Sequence, residues 1–225
     1  MDITVKKIDL VVKRAIYPYF QALLSSTISS LAKIRMKVIT DSGTLIGLRR
    51  KLFDEVIPKK GIGVELGVYK GTLSQYILNV SKPSCLHLVD PWWYYESHWH
   101  WADGDTSTVR SFASILLVLQ EEISTGKVKF HIGGSKEVLE SFEDSYLDWA
   151  YIDSTHAYAQ TKEELSLLKY KVKPTGIIGG DDWREDPSHK HHGVYKAVNE
   201  FLSHETEYKL IFQEGTQWAL TRKVS

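Results

Sequence analysis

Short, mostly apolar runs alternate with longer segments of mixed polarity from residue 62 to residue 180 of this chain. The runs cover residues 62–66, 85–89, 128–132, 147–152 and 176–180. Helix-length segments separate them at residues 71–80, 109–125, 135–142 and 157–171. Short apolar strands separated by helices are typical of a parallel sheet that is covered on both faces. Right-handed crossovers then predict a doubly wound α/β sandwich.

The C-terminal part of the chain breaks this alternation. A predicted helix at about 193–203 is followed by two strand-like segments, residues 208–213 and 216–221, with only a short turn that contains Gly215 between them. Two strands that are joined by such a turn form a hairpin. The chain therefore predicts a Rossmann-like, mostly parallel seven-stranded sheet with one antiparallel strand from the C-terminal hairpin.

Length and composition fit one globular domain. The chain has 225 residues, of which 43% are hydrophobic and 25% are charged, and these values are ordinary for a globular protein. We expect a helical N-terminal extension over residues 1–55 and an α/β domain over residues 56–225. The single cysteine, Cys85, excludes an internal disulfide. Because the sequence shows neither a secretory signal nor a sufficiently apolar span, a cytoplasmic location is expected.

The charges are distributed unevenly, although the formal net charge is zero. Residues 1–51 hold 10 Lys and Arg against 3 Asp and Glu, a net of +7, so the remaining residues carry −7. The zero total gives no indication of a nucleic-acid partner. The basic segment is compatible with a homo-oligomer, with peripheral contact to an anionic membrane surface, or with a helix face exposed to solvent.

The first predicted strand leads into a glycine-containing loop at residues 67–71, followed by a helix. The free N–H groups of such a helix point towards a ligand at the carboxyl end of the strand. The spacing of Gly67 and Gly71 departs from the GxGxxG pattern, which argues against a dinucleotide. Asp90 ends the next strand, where a carboxylate can hold both hydroxyls of a ribose. The alternative is that Asp90 caps the turn before Pro91.

Acidic residues follow both of the next central strands. Asp153 comes after the fourth strand, and Asp181 and Asp182 come after the fifth strand. Three carboxylates at one edge of a sheet repel each other unless a cation neutralises them, and oxygen ligands suit Mg²⁺. The alternative for Asp181 or Asp182 is a helix cap. His156 follows three residues after Asp153, and a neutral imidazole can accept a proton from a hydroxyl group.

The run from Glu65 to Gly71, with an acid at the end of the second strand, resembles motifs I and II of class I S-adenosylmethionine-dependent methyltransferases. The resemblance covers residues 60–222 and implies S-adenosylmethionine as the cofactor. It implies that Glu65 lies near the methionine amino group, that Gly67 lies against the cofactor, and that Asp90 holds the ribose. The full set of cofactor-binding residues that we infer is Glu65, Gly67, Gly71, Ser74, Asp90, Trp93, Gly134, Ser135 and Asp153.

Residues 151–156 (YIDSTH) and 179–182 (GGDD) resemble the metal-dependent O-methyltransferases. The most similar branch methylates sugar hydroxyls of macrolide and aminocoumarin antibiotics. This resemblance implies Mg²⁺ or another divalent cation at Asp153, Asp181 and Asp182, and His156 as the general base beside Asp153. Catechol-type relatives carry a lysine in place of His156, so the histidine favours a sugar or small-molecule acceptor. A metal-independent methyltransferase that acts on nitrogen or an acidic oxygen is the alternative.

Tryptophan and tyrosine crowd residues 92–101. Such a loop could supply flat faces for the acceptor, stack Trp93 on the adenine, or pack as a lid. Histidines occur in this loop and again at residues 189–192. They lack the spacing of common zinc motifs, so a zinc site is not predicted.

Overall fold

In the computed structural model, the described residues are Gly47, residues 49–92 and residues 107–223. All of them lie in one compact unit, Ser42–Ser225. The strands are β1 Ile62–Leu66, β2 Cys85–Asp90, β3 Val128–Ile132, β4 Leu147–Ile152, β5 Val172–Gly180, β6 Tyr208–Glu214 and β7 Gln217–Arg222. The helices are α1 Thr72–Val80, α2 Ser107–Val118, α3 Gln120–Ser124, α4 Ser135–Ser141, α5 Tyr158–Lys171 and α6 His192–His204, after a π-helical turn at Leu52–Val56.

The seven strands form one sheet in the order β3-β2-β1-β4-β5-β7-β6. Strands β1 to β5 pair in parallel, whereas β7 is antiparallel to both β5 and β6. The predicted Rossmann-like sheet with one antiparallel strand is therefore confirmed. Because the first five strands are parallel, their carboxyl ends meet at one edge, which is where ligands bind in such sheets.

Two elements differ from the sequence prediction by more than a shift of one or two residues at a boundary. Strand β5 begins at Val172 and not at residue 176, and its pairing with β4 shifts register between Leu147 and Trp149. The helix predicted at 109–125 is divided into α2 and α3 at Leu119, whose backbone is not helical. The Leu119 side chain is 2% exposed, so packing against the core accompanies this break.

Hydrophobic clusters cover both faces of the sheet. Alternate residues of β4 point to opposite faces, so Trp149 and Tyr151 belong to one cluster and Ala150 and Ile152 to the other. All four side chains are at most 3% exposed. Strand β4 therefore lies at the centre of the fold, and the residues that follow it are held between two packed layers.

The residues before β1 also pack on the sheet. Leu52 and Phe53 are completely buried, and the ring of Phe53 lies 5.0 Å from the ring of Tyr151. This packing brings Arg49 to the carboxyl end of β4. The predicted division into residues 1–55 and 56–225 stays a prediction, since most of the first segment lies outside the described residues. Within the described residues, no helix is both long and apolar enough to cross a membrane.

Candidate active site

The loop after β1 is shaped by Asp90 at the end of β2. One carboxylate oxygen of Asp90, Oδ2, accepts hydrogen bonds from the backbone N–H groups of Val68 and Tyr69, both at 2.9 Å. The other oxygen, Oδ1, accepts the N–H of Trp92 at 2.7 Å. A carboxylate has about four acceptor positions, so one remains on Oδ1. The structure thus supports the turn-capping role of Asp90 and leaves room for one further hydrogen bond.

Gly67 lies where this loop passes the end of β4. Its φ is +87°, and a Cβ atom there would lie 2.0 Å from the carbonyl oxygen of Asp153. Any larger residue would therefore push the loop away from the strand end. Gly71 begins α1 with a left-handed backbone, φ +68°. Gly67 and Gly71, which the resemblance assigns to the cofactor, are thus also required by the conformation and packing of the loop.

Glu65 is a buried carboxylate directly below this loop. It is 1% exposed, and its Oε2 accepts a hydrogen bond from the Ser74 hydroxyl at 2.6 Å. Burial raises the pKa of Glu65 to about 8, against the opposing effect of the Ser74 hydrogen bond. A cationic ligand group would favour the charged carboxylate, as the expected contact with an ammonium group requires.

Glu164, in the middle of α5, joins the loops after β3 and β4. It accepts hydrogen bonds from the Ser135 hydroxyl at 2.6 Å and from the Ser154 hydroxyl at 2.9 Å. Burial raises the pKa of Glu164, although these hydrogen bonds oppose the shift. Sequence reasoning missed Glu164 because it lies inside a helix. The Ser135 hydroxyl is bound to Glu164. Gly134 directly precedes the first turn of α4.

The three predicted metal-binding carboxylates do come together. Asp153, Asp181 and Asp182 each offer an oxygen atom, and these atoms lie within 4.8 Å of one another. However, the guanidinium of Arg49 bridges two of them. Its Nη2 atom lies 2.7 Å from Oδ2 of Asp153 and also donates to Oδ2 of Asp181. Burial raises the pKa of Asp153 to about 6, although the charge of Arg49 opposes the rise.

Arg49 is held by further contacts that the sequence did not indicate. Its Nε donates to the Tyr151 hydroxyl at 3.0 Å, and this hydroxyl donates to Oε1 of Gln217 at 2.8 Å. The Nε2 of Gln217 in turn donates to Oδ1 of Asp181 at 2.6 Å. A closed cycle of hydrogen bonds therefore links side chains from the N-terminal segment, β4, β7 and the end of β5, and the guanidinium is one member of it.

Asp182 is bound by two imidazoles. Oδ2 of Asp182 lies 2.9 Å from Nδ1 of His156, and Oδ1 lies 3.0 Å from Nδ1 of His191. The two rings stack with centroids 4.5 Å apart. These three residues form a second group that could hold a metal ion, and it shares Asp182 with the carboxylate group. The spacing of the histidines along the chain did not indicate this arrangement.

His156 and Asp182 combine shifted pKa values with a left-handed backbone. Burial alone would lower the pKa of His156, but the hydrogen bond and charge of Asp182 outweigh it and raise the pKa above 6.5. Burial opposes ionisation of Asp182, yet hydrogen bonds from the two histidines hold its pKa below the usual range. Both residues have left-handed backbones, with φ of +61° and +62°. Such conformations are unfavourable for residues with a Cβ and concentrate at functional sites.

The aromatic loop lies mostly outside the described residues, and so does Trp93. The expected stacking of Trp93 on the adenine therefore stays a prediction. Trp92 is described and is 2% exposed. Its ring packs 4.7 Å from that of Phe112, and its indole N–H donates to the carbonyl of Tyr69 at 3.0 Å. At least this tryptophan belongs to the core and not to a surface that could bind an acceptor.

Comparison with protein families identifies the chain. Residues 64–183, slightly more than half of its length, match the family described as a methyltransferase domain. The chain belongs to this methyltransferase family. The match begins in β1 and ends directly after Asp182, so it contains the loops that carry the predicted cofactor and acidic residues. The protein is a class I S-adenosylmethionine-dependent methyltransferase.

Solved structures share the methyltransferase fold. One is a Clostridium thermocellum protein that is designated an rRNA-methylase, with a TM-score of 0.55 and 12% identity over 80% of this chain and 96% of that one. A second, from Corynebacterium glutamicum, has a TM-score of 0.55 and 12% identity over 93% and 98% of the two chains. These low identities show the fold alone. No curated protein matches the sequence.

The methyltransferase offers a consistent cradle for S-adenosylmethionine. The resemblance assigns three features at the carboxyl edge to its parts: the buried Glu65 to the ammonium group, Asp90 to the ribose, and Gly134, directly before α4, to the adenine. Asp90 has one acceptor position left, whereas the sequence predicted hydrogen bonds to both ribose hydroxyls. Ser74 acts indirectly, since its hydroxyl is bound to Glu65. The individual contacts remain predictions of the sequence resemblance.

We expect Asp90→Ala to weaken the binding of S-adenosylhomocysteine to the methyltransferase by about 1.5–3 kcal/mol, typical for a lost hydrogen bond to a charged group. Isothermal titration calorimetry measures this affinity. Asp148→Ala is a matched control, because Asp148 accepts the backbone N–H of Ile62 at 2.7 Å at the opposite edge of the sheet. The control should lose stability and keep its affinity. Equal affinities of wild type and Asp90→Ala would contradict a ribose contact at Asp90.

Proposed function

We propose that this methyltransferase transfers the methyl group of S-adenosylmethionine to a hydroxyl group of a sugar or small molecule, with His156 as the general base. The observation that supports this proposal is the position of His156. Its imidazole lies at the carboxyl edge of the sheet, and its Nδ1 is bound to Asp182 at 2.9 Å. In the neutral imidazole, the other ring nitrogen, Nε2, then carries no proton and can accept one.

Each residue of the pair has a separate task. Asp182 accepts the Nδ1–H of His156 and so selects the tautomer and the orientation of the ring, as a buried acid does in other acid–base pairs. His156 takes the acceptor proton at Nε2 as the new O–C bond forms. S-adenosylmethionine, when bound, supplies a methyl group that is already activated by the sulfonium. The remaining task of the chain is alignment, which supplies much of the rate in such reactions.

The predicted divalent cation fits the chemistry of the acidic residues but not their arrangement. Carboxylate oxygens are suitable ligands for Mg²⁺, and Asp153, Asp181 and Asp182 lie close enough to share one ion. However, Arg49 already bridges Asp153 and Asp181. Both oxygens of Asp182 are bound to histidines. We therefore derive no step of the reaction through a metal.

The second candidate function is metal-independent transfer to a nitrogen or to an acidic oxygen. The contacts of Arg49 favour it, since a guanidinium neutralises the carboxylates without making a bound hydroxyl more acidic. An acceptor with a low pKa, such as a phenol, would then lose its proton to His156 more readily than a sugar hydroxyl would. The two candidates thus differ in the acidity of the acceptor and share the same base.

A product analysis tests the proposal. The full chain would be incubated with S-adenosylmethionine labelled in its methyl group and with three acceptor classes: glycosides, phenols and amines. We expect the label on a hydroxyl oxygen of a glycoside, as identified by mass spectrometry, and no transfer in the presence of excess S-adenosylhomocysteine. Transfer to phenols or amines alone would favour the second candidate and would contradict methylation of a sugar hydroxyl.

A further inference from the structure

The guanidinium of Arg49 lies in the position that the sequence predicts for a divalent cation. Arg49 is 7% exposed. One of its nitrogens, Nη2, donates to a carboxylate oxygen of Asp153 at 2.7 Å and to a carboxylate oxygen of Asp181. These are two of the three carboxylates that would have to bind the ion. A permanent cation and a divalent cation cannot share this space, because like charges at such separations repel strongly.

The position of Arg49 is determined from two sides. Nη2 is held by the carboxylates, and Nε is held by the Tyr151 hydroxyl at 3.0 Å. Tyr151 is itself completely buried and is bound to Gln217, which returns to Asp181. A planar guanidinium that is bound along its fork keeps one orientation, which an unbranched ammonium group would not do. The contact is therefore a built site and not a surface ion pair.

The second carboxylate oxygen of Asp181 and both oxygens of Asp182 are also engaged. Oδ1 of Asp181 accepts the backbone N–H of Asp182 at 2.7 Å as well as the Gln217 amide at 2.6 Å. The main-chain oxygen of Asp181 accepts the indole N–H of Trp218 at 2.9 Å. Asp182 is bound to His156 and His191. An ion at this place would have to displace several of these partners together.

We propose that Arg49 takes the place of a divalent cation between Asp153 and Asp181, so that methyl transfer proceeds without a metal at this site. This inference deepens the proposed function, and its statement about methyl transfer rests on that function. Arg49 acts as a positioning residue: it neutralises the two carboxylates and holds the ends of β4 and β5 together. Because the charge of Arg49 is permanent, this neutralisation of the carboxylates does not depend on the supply of metal ions.

Binding of Mn²⁺ tests the inference without any acceptor. Mn²⁺ prefers the same oxygen ligands as Mg²⁺, and electron paramagnetic resonance reports its free concentration. Full-length wild type would be compared with Arg49→Ala, Arg49→Gln and Arg49→Lys. We expect Arg49→Ala and Arg49→Gln to bind one Mn²⁺ per chain at least tenfold more tightly than wild type does. Arg49→Lys keeps the charge and should stay within about threefold of wild type.

Two controls locate the ion. Each comparison is repeated in a His191→Ala background, so that an ion bound by the imidazole pair does not contribute, and the tenfold difference should persist. Adding Asp181→Asn to Arg49→Ala should then remove the gained binding. Should the alanine and glutamine variants both fail to fold, wild type alone decides. A saturable Mn²⁺ site in wild type that Asp181→Asn abolishes would overturn the inference.

The outcome is independent of the proposed reaction. Equal Mn²⁺ affinities of wild type and Arg49→Ala would overturn the role of Arg49, even if the protein methylates hydroxyl groups. Conversely, a failure to find a hydroxyl acceptor would leave the Mn²⁺ comparison unchanged. Once an acceptor is known, wild type that has been dialysed against EDTA should keep its activity within about twofold. Loss of activity that Mg²⁺ restores would show that Arg49 leaves the carboxylates during turnover and would overturn the inference.

Discussion

The substitution His156→Ala is expected to lower kcat by about 10²–10⁴-fold, the usual contribution of a general base. The imidazole is held by Asp182 at 2.9 Å, so its removal takes away the proton acceptor and leaves its orienting carboxylate behind. The affinity for S-adenosylhomocysteine should change little, because the proposed role directs the ring towards the acceptor. Steady-state kinetics and calorimetry measure the two effects separately.

The pH profile is an independent test of the same role. Asp182 raises the pKa of His156 above 6.5, and only the neutral imidazole can accept a proton. Activity in wild type should therefore rise with pH through a pKa above 6.5, and this limb should vanish or move in His156→Ala. If His156→Ala kept both the kcat of wild type and this rise of activity with pH, His156 would have only a structural role.

Two further histidine variants serve as controls. His204 lies exposed in the last turn of α6, far along the helix from the site, and His204→Ala should keep the kcat of wild type. His191 also binds Asp182 and stacks on His156, so it is the competing candidate for the base. We expect His191→Ala to lower kcat by at most about tenfold, through the loss of support for Asp182. If His191→Ala lowered kcat more than His156→Ala does, His191 would be the general base and His156 the supporting residue.

Gly67→Ala is expected to have the largest effect on folding and cofactor binding. A side chain at φ +87° is strained, and its Cβ would lie 2.0 Å from the carbonyl oxygen of Asp153. Left-handed strain and overpacking each contribute about 1–3 kcal/mol, so the free energy of unfolding should fall by roughly 2–6 kcal/mol. The displaced loop should also bind S-adenosylhomocysteine at least tenfold more weakly. Urea unfolding and calorimetry measure these quantities.

Gly126→Ala separates strain from the clash. Gly126 has a similar backbone, φ +74°, but nothing lies within 4 Å of the Cβ atom that alanine would add. We therefore expect a loss of only about 1 kcal/mol from the backbone conformation, with unchanged affinity for S-adenosylhomocysteine. If both variants lost the same stability, close packing of the Gly67 loop against the end of β4 would not be the reason for glycine there.

The positions of the strands along the chain could be predicted because burial on both faces of the sheet demands apolar residues. β1, β3 and β4 have the predicted bounds, and the C-terminal hairpin supplies the one antiparallel strand. The sequence did not predict the features in which tertiary packing overrides the local pattern of residues. No glycine or proline marks the break between α2 and α3 at Leu119. Residues 173–175 of β5 are partly buried or exposed and include Pro174, so they lack the apolar pattern of a buried strand.

The same distinction applies to the residues of the candidate active site. Asp153, Asp181 and Asp182 could be located because the carboxyl ends of parallel strands must share one edge. Arg49 and Gln217, which bind these acids, could not be located, because each comes from a distant part of the chain. Arg49 lies 132 residues before Asp181, in a basic segment whose sequence is equally compatible with a solvent-exposed helix face. Gln217 lies in the C-terminal hairpin, and His191 has no metal-binding spacing to reveal it.

The sequence by itself therefore determined the class of the fold, the edge at which ligands bind, and the acidic character of that edge. Only the tertiary structure decided which groups neutralise the acids. Hydrophobic periodicity is a local property that each strand and helix carries in its own residues. A charge pairing depends on which surfaces pack together, and here the burial of Leu52 and Phe53 against the sheet carries Arg49 into the space between Asp153 and Asp181.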